Sequence, residues 1–271
     1  MPSVTVSQLN KIGERLRKNI ETEEDLLSLD KFRLSFQPAY DQVFAELTSL
    51  GLNPGGRLPK TTQSIRAKLD REKTRLSKMQ DIAGCRVVVE NSVEQERVVK
   101  ELIQRWPGVK IYDRTVNPSH GYRAVHIVTE IDGYAVEIQV RTMLQHNWAS
   151  TTEKLADVID SKIKYGGGPR EIQDVLSRSS ELIASIEKVD NEGAPMLARF
   201  KNLSDSEIEQ MDRLVMEGDN KTFAFLVQQS GGLANFIREG VARRIELRED
   251  LNELLKYLAD GYTMHKSDES Q

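Results

Sequence analysis

The sequence predicts an α/β (α+β) protein in which a mixed β-sheet is flanked by helices and followed by an all-helical C-terminal extension. Up to about residue 165 the predicted order is helix, strand, helix, strand, strand, strand, helix, an order typical of helices packed on a mixed sheet. Asp132-Gly133 separates two runs of mostly alternating apolar and polar residues, which indicates a two-residue type I′ hairpin turn. After Gly166–Pro169 the apolar residues recur only at spacings of three and four, which predict helices.

Composition narrows the class of protein. The chain has 271 residues, of which 38% are hydrophobic and 30% charged, and its net charge is −4, values typical of a globular protein. No apolar run is long enough to span a bilayer, and the N-terminus lacks the apolar region of a signal peptide, so we expect a cytoplasmic protein without a membrane partner. The single cysteine, Cys85, excludes disulfides and cysteine-based zinc sites.

The N-terminal part is predicted to be helical over residues 6–27 and 30–50, and Asn53 to Gly56 end it. The next stretch, 57–80, carries eight Lys or Arg against two acids in a chain that is acidic overall. Thr61, Thr62 and Ser64 favour a helix start there, and a positive helix N-terminus with hydroxyls and lysines suits a polyphosphate. A solvated charged helix is the alternative interpretation.

The central part contains the predicted sheet. Gly84, in the first of these strands, permits a bend or the close approach of another backbone, and Asp81 stands at the mouth of that strand. The predicted elements are a strand over 81–90, a helix over 93–105, a strand over 109–116, the hairpin around Asp132-Gly133 and a helix from Met143.

The hairpin turn predicts a register. In a two-residue hairpin Ile131 lies opposite Tyr134, so residues that face each other sum to 265, and His126 faces Gln139. The apolar face then forms core. The other face carries a polar cluster on a rigid platform, which indicates a binding site; its members are Tyr122, His126, Glu137, Gln139 and Arg141.

Two carboxylates, Asp81 and Glu137, together with the basic helix start are what a Mg²⁺-nucleotide enzyme requires. The metal takes one or two carboxylates and bridges phosphate oxygens, while Lys and Arg neutralise the transferring group. Tyr122 offers a flat surface on which a base can stack.

Four motifs resemble the RelA/SpoT-type alarmone synthetase domain over roughly residues 50–165: KTxxSIxxKLxR from Lys60, DIAGCR from Asp81, GYRAVH from Gly121, and EIQVRT from Glu137 with Trp148-Ala149. The resemblance implies a nucleotidyltransferase-like mixed sheet. It also implies a GTP pyrophosphokinase of the stringent response, which transfers pyrophosphate from ATP to the 3′-hydroxyl of GDP or GTP and makes ppGpp or pppGpp.

The resemblance assigns a role to each matching residue. Asp81 and Glu137 would hold Mg²⁺, with Glu137 activating the attacking hydroxyl and Gln139 beside it in the catalytic group. The residues on the ATP side would be Arg57, Lys60, Thr61, Ser64, Lys68, Arg71 and Arg86. The residues around the acceptor nucleotide would be Tyr122, which stacks on guanine, with His126, Gln139, Arg141 and His146.

The chain departs from the family pattern in three ways. Leu58 stands where an Arg is common, and Pro118-Ser119-His120 replaces a lysine-rich segment, which thins the positive charge on the acceptor side. The first 80 residues contain no His-Asp pair, so we expect synthesis without hydrolysis. Two alternatives follow: a toxin of toxin-antitoxin type that pyrophosphorylates the 3′ end of tRNA, and a catalytically inactive nucleotide sensor.

The resemblance divides the chain into three parts: residues 1–50 as N-terminal helices that pack on the synthetase domain, 51–168 as that domain, and 169–271 as a helical C-terminal region. The glycine run at 166–168 is interpreted as a boundary or hinge. Two roles stay open for the C-terminal helices: homo-oligomer formation, as in small members of the family, or coverage of the active site.

Overall fold

The computed structural model describes residues 4–57, 60–200, 203–218 and 220–268. The chain forms two compact units, and each is described by itself. The first unit comprises Met1–Val89, Gln95–Asn117 and Ala124–Arg141, and the second comprises Glu90–Glu94, Pro118–Arg123 and Thr142–Gln271.

A five-stranded mixed sheet in strand order β1-β2-β5-β4-β3 is the centre of the first unit, which confirms the predicted fold class. Its strands are β1 Pro54–Arg57, β2 Ala83–Val89, β3 Lys110–Asp113, β4 Val125–Ile131 and β5 Tyr134–Thr142. Five helices accompany the sheet in the chain: α1 Val6–Lys18, α2 Glu23–Leu34, α3 Gln37–Ser49, α4 Thr62–Glu72 and α5 Ser92–Arg105.

Two apolar clusters hold this unit together. In the first, α3 and α5 pack against alternating residues of the sheet, such as Val87 on β2 and Ile138 on β5. In the second, α1, α2 and α4 bury Leu16, Leu29 and Ile65 against one another. Each of these three side chains is fully removed from solvent, so the N-terminal helices are an integral part of the unit's core.

The hairpin register is confirmed. Ile131 pairs with Tyr134, His126 with Gln139 and Val128 with Glu137. Asp132 and Gly133 both have positive φ, at 51° and 83°, as a type I′ turn requires.

The N-terminal segment forms three helices where the sequence predicts two. Asn19 adopts a left-handed conformation that ends α1, and Thr22 starts α2 with a capping box that it forms with Asp25. The predicted helix over 30–50 breaks at Ser35 and Phe36, because Pro38 fits only in the first turn of a new helix.

The strand β1 lies where the sequence predicts a loop. Pro54 and Gly55 are poor strand formers, yet they pair with Val87 and Arg86 of β2. Because β1 is an edge strand, Pro54 is tolerated there.

The second unit is helical in the parts that the structure describes. Its helices are α6 Met143–Val158, α7 Arg170–Phe200, α8 Asp205–Glu217, α9 Lys221–Gln229 and α10 Leu233–Asp268. Trp148, Leu155 and Ile183 form its core with Leu251 and Leu255 of α10. None of the helices in the described ranges is both long enough and apolar enough to cross a membrane.

The glycine run lies inside this second unit. Gly166 and Gly168 follow a short 3₁₀ helix, Ser161–Tyr165, and have φ of 79° and 83°. The compact units therefore divide the chain at other positions than the run, and the three-part division by family resemblance stays a prediction.

Candidate functional site

The start of α4 is built from the residues that the sequence assigned to a phosphate site. Thr61 caps the helix: its Oγ1 accepts a hydrogen bond from the Ser64 amide at 3.1 Å and donates one to the Ser64 hydroxyl at 3.0 Å. The Lys60 amide donates to the Ile82 carbonyl at 3.2 Å, which ties this helix start to the chain just before β2. The predicted helix N-terminus is confirmed, with both hydroxyls exposed.

Asp81 lies between two lysines of this segment. Its Oδ2 is 2.7 Å from Lys60 Nζ and 2.8 Å from Lys68 Nζ, and the Asp81 side chain is only 11% exposed. Burial by itself would raise the pKa of Asp81, but the charges and hydrogen bonds of Lys60 and Lys68 outweigh it and hold that pKa below its ordinary value. Asp81 is therefore ionised at neutral pH.

The second oxygen of Asp81 is the atom that is relevant to metal binding. Oδ1 is buried and accepts no hydrogen bond within the described residues. A buried carboxylate oxygen without a partner is costly, and a cation would satisfy it. No cluster of three or more His, Cys, Asp or Glu that could hold an ion occurs in the described parts of the chain. One unpartnered carboxylate oxygen fits Mg²⁺, which takes one or two carboxylates and completes its shell with phosphates and water.

The other residues predicted on the ATP side lie in the same unit. Arg71 is partly exposed in the last turn of α4, where it pairs with Glu72 at 2.9 Å. Arg86 is half-buried on β2 opposite Gly55. Arg57 ends β1, and its side chain lies outside the described residues.

Arg33 of α2 makes a contact with α4 that was not predicted from the sequence. Its Nη1 pairs with Asp30 at 2.7 Å, and its Nη2 donates to Thr62 Oγ1 at 2.8 Å, in the first turn of α4. The two residues are 29 positions apart in the chain, and no local pattern marks the pair.

The polar face of the hairpin is a continuous hydrogen-bonded chain. His126 Nδ1 lies 2.8 Å from Glu137 Oε1, Gln139 Nε2 donates to Glu137 Oε2 at 2.7 Å, and Arg141 Nη2 donates to Gln139 Oε1 at 2.9 Å. Glu137, Gln139 and Arg141 are 8%, 6% and 3% exposed. The shared face is confirmed for these four residues, and the structure adds that it is largely buried.

Gly84 allows β2 to approach β5 at Glu137. A Cβ at position 84 would lie 2.7 Å from the Glu137 carbonyl oxygen, a distance that real Cβ atoms essentially never show. The close approach predicted from Gly84 is therefore confirmed, and its partner is Glu137.

Burial and the nearby Glu137 charge raise the pKa of Cys85 to about 12, so this thiol stays protonated.

Tyr122 lies outside the strand β4, whereas the register prediction extended the ribbon to include it. The strand β4 begins only at Val125, and Tyr122 ends a tight turn in the second unit. The Ser119 and Tyr122 amides each donate to the other's carbonyl, at 3.3 and 3.0 Å. His120 and Gly121 between them have φ of 52° and 84°, so a second turn with two left-handed residues replaces the expected extension of the strand.

His146 belongs to the second unit as well and lies near the start of α6. The buried carboxylate of Glu187 supports this helix start. Thr142 caps α6, and its hydroxyl donates to Glu187 Oε1 at 2.6 Å, while Gln145 Nε2 donates to both Glu187 oxygens at 3.0 Å. Burial raises the pKa of Glu187, and these hydrogen bonds offset the rise only in part. The contact between this helix start and Glu187, which is 42 residues beyond Gln145, was not predicted from the sequence.

Residues 56–165 match the family model described as "Region found in RelA / SpoT proteins", which confirms the resemblance seen in the four motifs. An uncharacterized protein of Mycobacterium tuberculosis is 36% identical over 117 residues, which are 42% of this chain and 43% of that protein. The GTP pyrophosphokinase YwaC of Bacillus subtilis is 29% identical over 114 residues, 38% of this chain and 51% of that protein. The chain thus spans about half the length, or less, of these curated relatives.

Among solved structures, the small alarmone synthetase 1 of Bacillus subtilis, crystallised with its product pppGpp, is similar in fold. The match has a TM-score of 0.51 at 23% identity and covers 63% of this chain and 98% of that one. At this identity the likeness concerns the fold alone.

Proposed function

We propose that this chain, whose residues 56–165 are a RelA/SpoT-type synthetase domain, transfers pyrophosphate from ATP to the 3′-hydroxyl of GDP or GTP and makes ppGpp or pppGpp. The relative named GTP pyrophosphokinase supports this reaction, and the likeness to a small alarmone synthetase supports the fold that it needs. The observation that carries the proposal is Asp81, whose Oδ2 binds two lysines while its buried Oδ1 has no hydrogen-bond donor in the described residues. Cations on one side and an unsatisfied carboxylate oxygen on the other suit a metal-bound polyphosphate.

In this proposal the basic start of α4 binds ATP. Lys60 and Lys68 neutralise phosphate oxygens, and Thr61 and Ser64 present hydroxyls at a helix N-terminus, where the dipole favours an anion. Asp81 and Glu137 would hold Mg²⁺, which would supply charge neutralisation at the phosphates. Arg71 and Arg86 complete the set of cations for the donor nucleotide.

The transfer itself requires one proton acceptor. The 3′-oxygen of the acceptor forms a bond to the β-phosphorus of ATP, the bond from that phosphorus to the α,β-bridging oxygen breaks, and AMP leaves. Glu137 takes the proton of the 3′-hydroxyl, and its hydrogen bonds to His126 and Gln139 hold the carboxylate in one orientation. Tyr122 stacks on guanine, and His126, Arg141 and His146 bind the acceptor's ribose and phosphates.

The tRNA-directed alternative needs a basic surface near Tyr122, because phosphate contacts dominate the affinity for nucleic acid. The segment 112–126 supplies only Arg114 and Arg123, and the Nε of Arg123 donates to Ser180 Oγ at 3.0 Å. This engagement of Arg123 favours a free nucleotide as acceptor. The sensor alternative is disfavoured because both Asp81 and Glu137 are present.

The test is a transfer assay with purified protein, γ-labelled ATP and Mg²⁺, in which the acceptor is GDP, GTP, AMP or deacylated tRNA. We expect label on guanine nucleotides, and none when EDTA removes the metal. Label on tRNA but not on guanine nucleotides would replace the proposal with the toxin, and no transfer to any acceptor would favour the sensor. Labelled pppGpp incubated with the protein should keep its pyrophosphate, since we propose synthesis without hydrolysis.

The C-terminal helices carry exposed apolar side chains that are relevant to oligomer formation. Leu214 on α8 and Phe225 on α9 are 62% and 58% exposed, large apolar side chains of the kind that a homo-oligomer would cover. We include such an oligomer, formed through the C-terminal helices, in the proposal, and the molar mass of the protein in solution tests it.

A further inference from the structure

The turn that carries Tyr122 packs against α6 and α7 of the second unit. A Cβ on Gly121 would lie 2.8 Å from the Trp148 ring and 3.3 Å from Ser180 Cβ, so the tip of the turn fills the space between these two side chains. Trp148 is fixed in turn, because its Nε1 donates to the Leu176 carbonyl at 2.9 Å and to Ser179 Oγ at 3.1 Å. The turn therefore rests on a rigid surface of helices.

Ser180 of α7 binds the residues on both sides of Tyr122. Its hydroxyl donates to the Gly121 carbonyl at 2.7 Å and accepts from Arg123 Nε at 3.0 Å. Ser180 is 2% exposed, so solvent does not compete for either hydrogen bond. A single buried hydroxyl thus uses its one donor and one of its lone pairs to fix the backbone before Tyr122 and the side chain after it.

The turn that Ser180 contacts contains a residue in a backbone conformation that is uncommon for an L-residue. His120 is a non-glycine residue with φ of 52°, a left-handed conformation that L-residues rarely adopt. Gly166 of the second unit packs directly against the His120 ring, where a Cβ would overlap it. Such a conformation persists only where the surroundings determine it.

We propose that Ser180 is a positioning residue for the acceptor nucleotide: it fixes the turn at Ser119–Tyr122 so that the Tyr122 ring is preorganised for stacking on guanine. This rests on the proposed function and deepens it, because it makes α7, which lies outside the region matched by the family model, a part of acceptor recognition. Ser180 touches no substrate in this role; it acts through Gly121 and Arg123.

Ser180→Ala tests the proposal, with Ser185→Ala as the matched control. Ser185 lies on the exposed side of the same helix, and its hydroxyl donates only to the Glu181 carbonyl, four residues earlier. We expect Ser180→Ala to raise KM for GDP or GTP by about tenfold, the factor that corresponds to 1.4 kcal/mol and to the loss of one or two hydrogen bonds. KM for ATP should stay within about twofold of wild type, as fold changes below that are under half a kcal/mol. Ser185→Ala should leave both constants unchanged.

Amide hydrogen exchange of the nucleotide-free protein separates this proposal from the proposed function. We expect the amides of residues 119–123 to exchange faster in Ser180→Ala than in wild type or Ser185→Ala, whichever reaction the protein catalyses. Unchanged exchange there, or equal rises of KM for ATP and for the acceptor, would overturn the positioning role. If Ser180→Ala folds poorly, Ser180→Cys, which keeps the size but weakens the donor, is expected to show the same pattern at smaller magnitude.

Discussion

At the scale of single residues, the orientation of the Glu137 carboxylate is set by its hydrogen-bond partners. A carboxylate accepts at both oxygens, and here Gln139 donates to one oxygen while His126 Nδ1 lies at the other. An amide at position 137 would present a nitrogen to one of these partners. If Gln139 rotated its own amide to compensate, Arg141 would face an NH₂ group in place of an oxygen. At the oxygen beside His126 the requirement depends on the imidazole tautomer, because an Nδ1 without a proton accepts a hydrogen bond from an amide nitrogen.

We predict that Glu137→Gln lowers kcat for pyrophosphate transfer by roughly 10² to 10⁴, the contribution typical of a positioned general base. The fold should survive, because the substitution preserves volume. Glu130→Gln is the control: it removes the same charge from an exposed position on the same hairpin and should leave kcat unchanged. Initial rates and thermal unfolding of both variants provide the measurement, and wild-type kcat in Glu137→Gln would remove the assigned role.

The sequence predicted which of these side chains share a face, but not that they are buried. Alternation along β4 and β5 fixes the face of His126, Glu137 and Gln139, because opposed residues in a known register point the same way. Whether a face is covered depends on contacts from distant parts of the chain. Tyr122 shows a second limit: the register was extended to position 122 although it puts Arg123 on the apolar face, and the strand begins only at Val125.

At the scale of elements, local chemistry predicted the hairpin and α4, since Asp132-Gly133 and Thr61 mark their ends. It failed for β1, whose strand character comes only from pairing with β2. The glycine run at 166–168 is interpreted from the sequence as a boundary or hinge, and the structure adds that Gly166 packs on His120. A sequence shows that a residue is small, but not whether the space beside it is filled.

A pair of glycine substitutions measures that packing. Gly133 and Gly166 have nearly the same φ, 83° and 79°, but a Cβ on Gly133 meets nothing within 4 Å, whereas one on Gly166 overlaps the His120 ring. We predict that Gly133→Ala costs only the strain of a left-handed residue, about 1 to 2 kcal/mol. Gly166→Ala should cost clearly more, and should also raise KM for the acceptor. Urea unfolding and steady-state kinetics measure both effects; equal losses of stability would show that the run is an open hinge.

At the scale of the whole molecule, the residues assigned to ATP lie in one compact unit, whereas those assigned to the acceptor are divided between both units, with His126, Gln139 and Arg141 in the first. The residues assigned to ATP, such as Lys60 and Lys68, belong to the first unit, whereas Tyr122 and His146 belong to the second. Motif spacing predicted neither unit, because the turn at 118–123 leaves the sheet and bonds to Ser180, 57 residues beyond Arg123. Contacts between residues that are so far apart in the chain produce no periodic pattern in the sequence.

Because the donor segments differ from the turn and helix that carry Tyr122 and His146, we predict separable footprints for the two substrates in amide hydrogen exchange. With Mg²⁺ present, ATP alone should slow exchange over residues 60–72 and 81–89, because the lysines, hydroxyls and Asp81 of the donor site lie there. GDP alone should slow exchange over 118–123 and 143–150, around Tyr122 and His146. CDP is the control for GDP: it carries the same diphosphate with a smaller base, so it should protect these segments less if stacking on Tyr122 contributes. Protection of 60–72 by GDP, with none at 118–123, would contradict the assignment of Tyr122 to the acceptor.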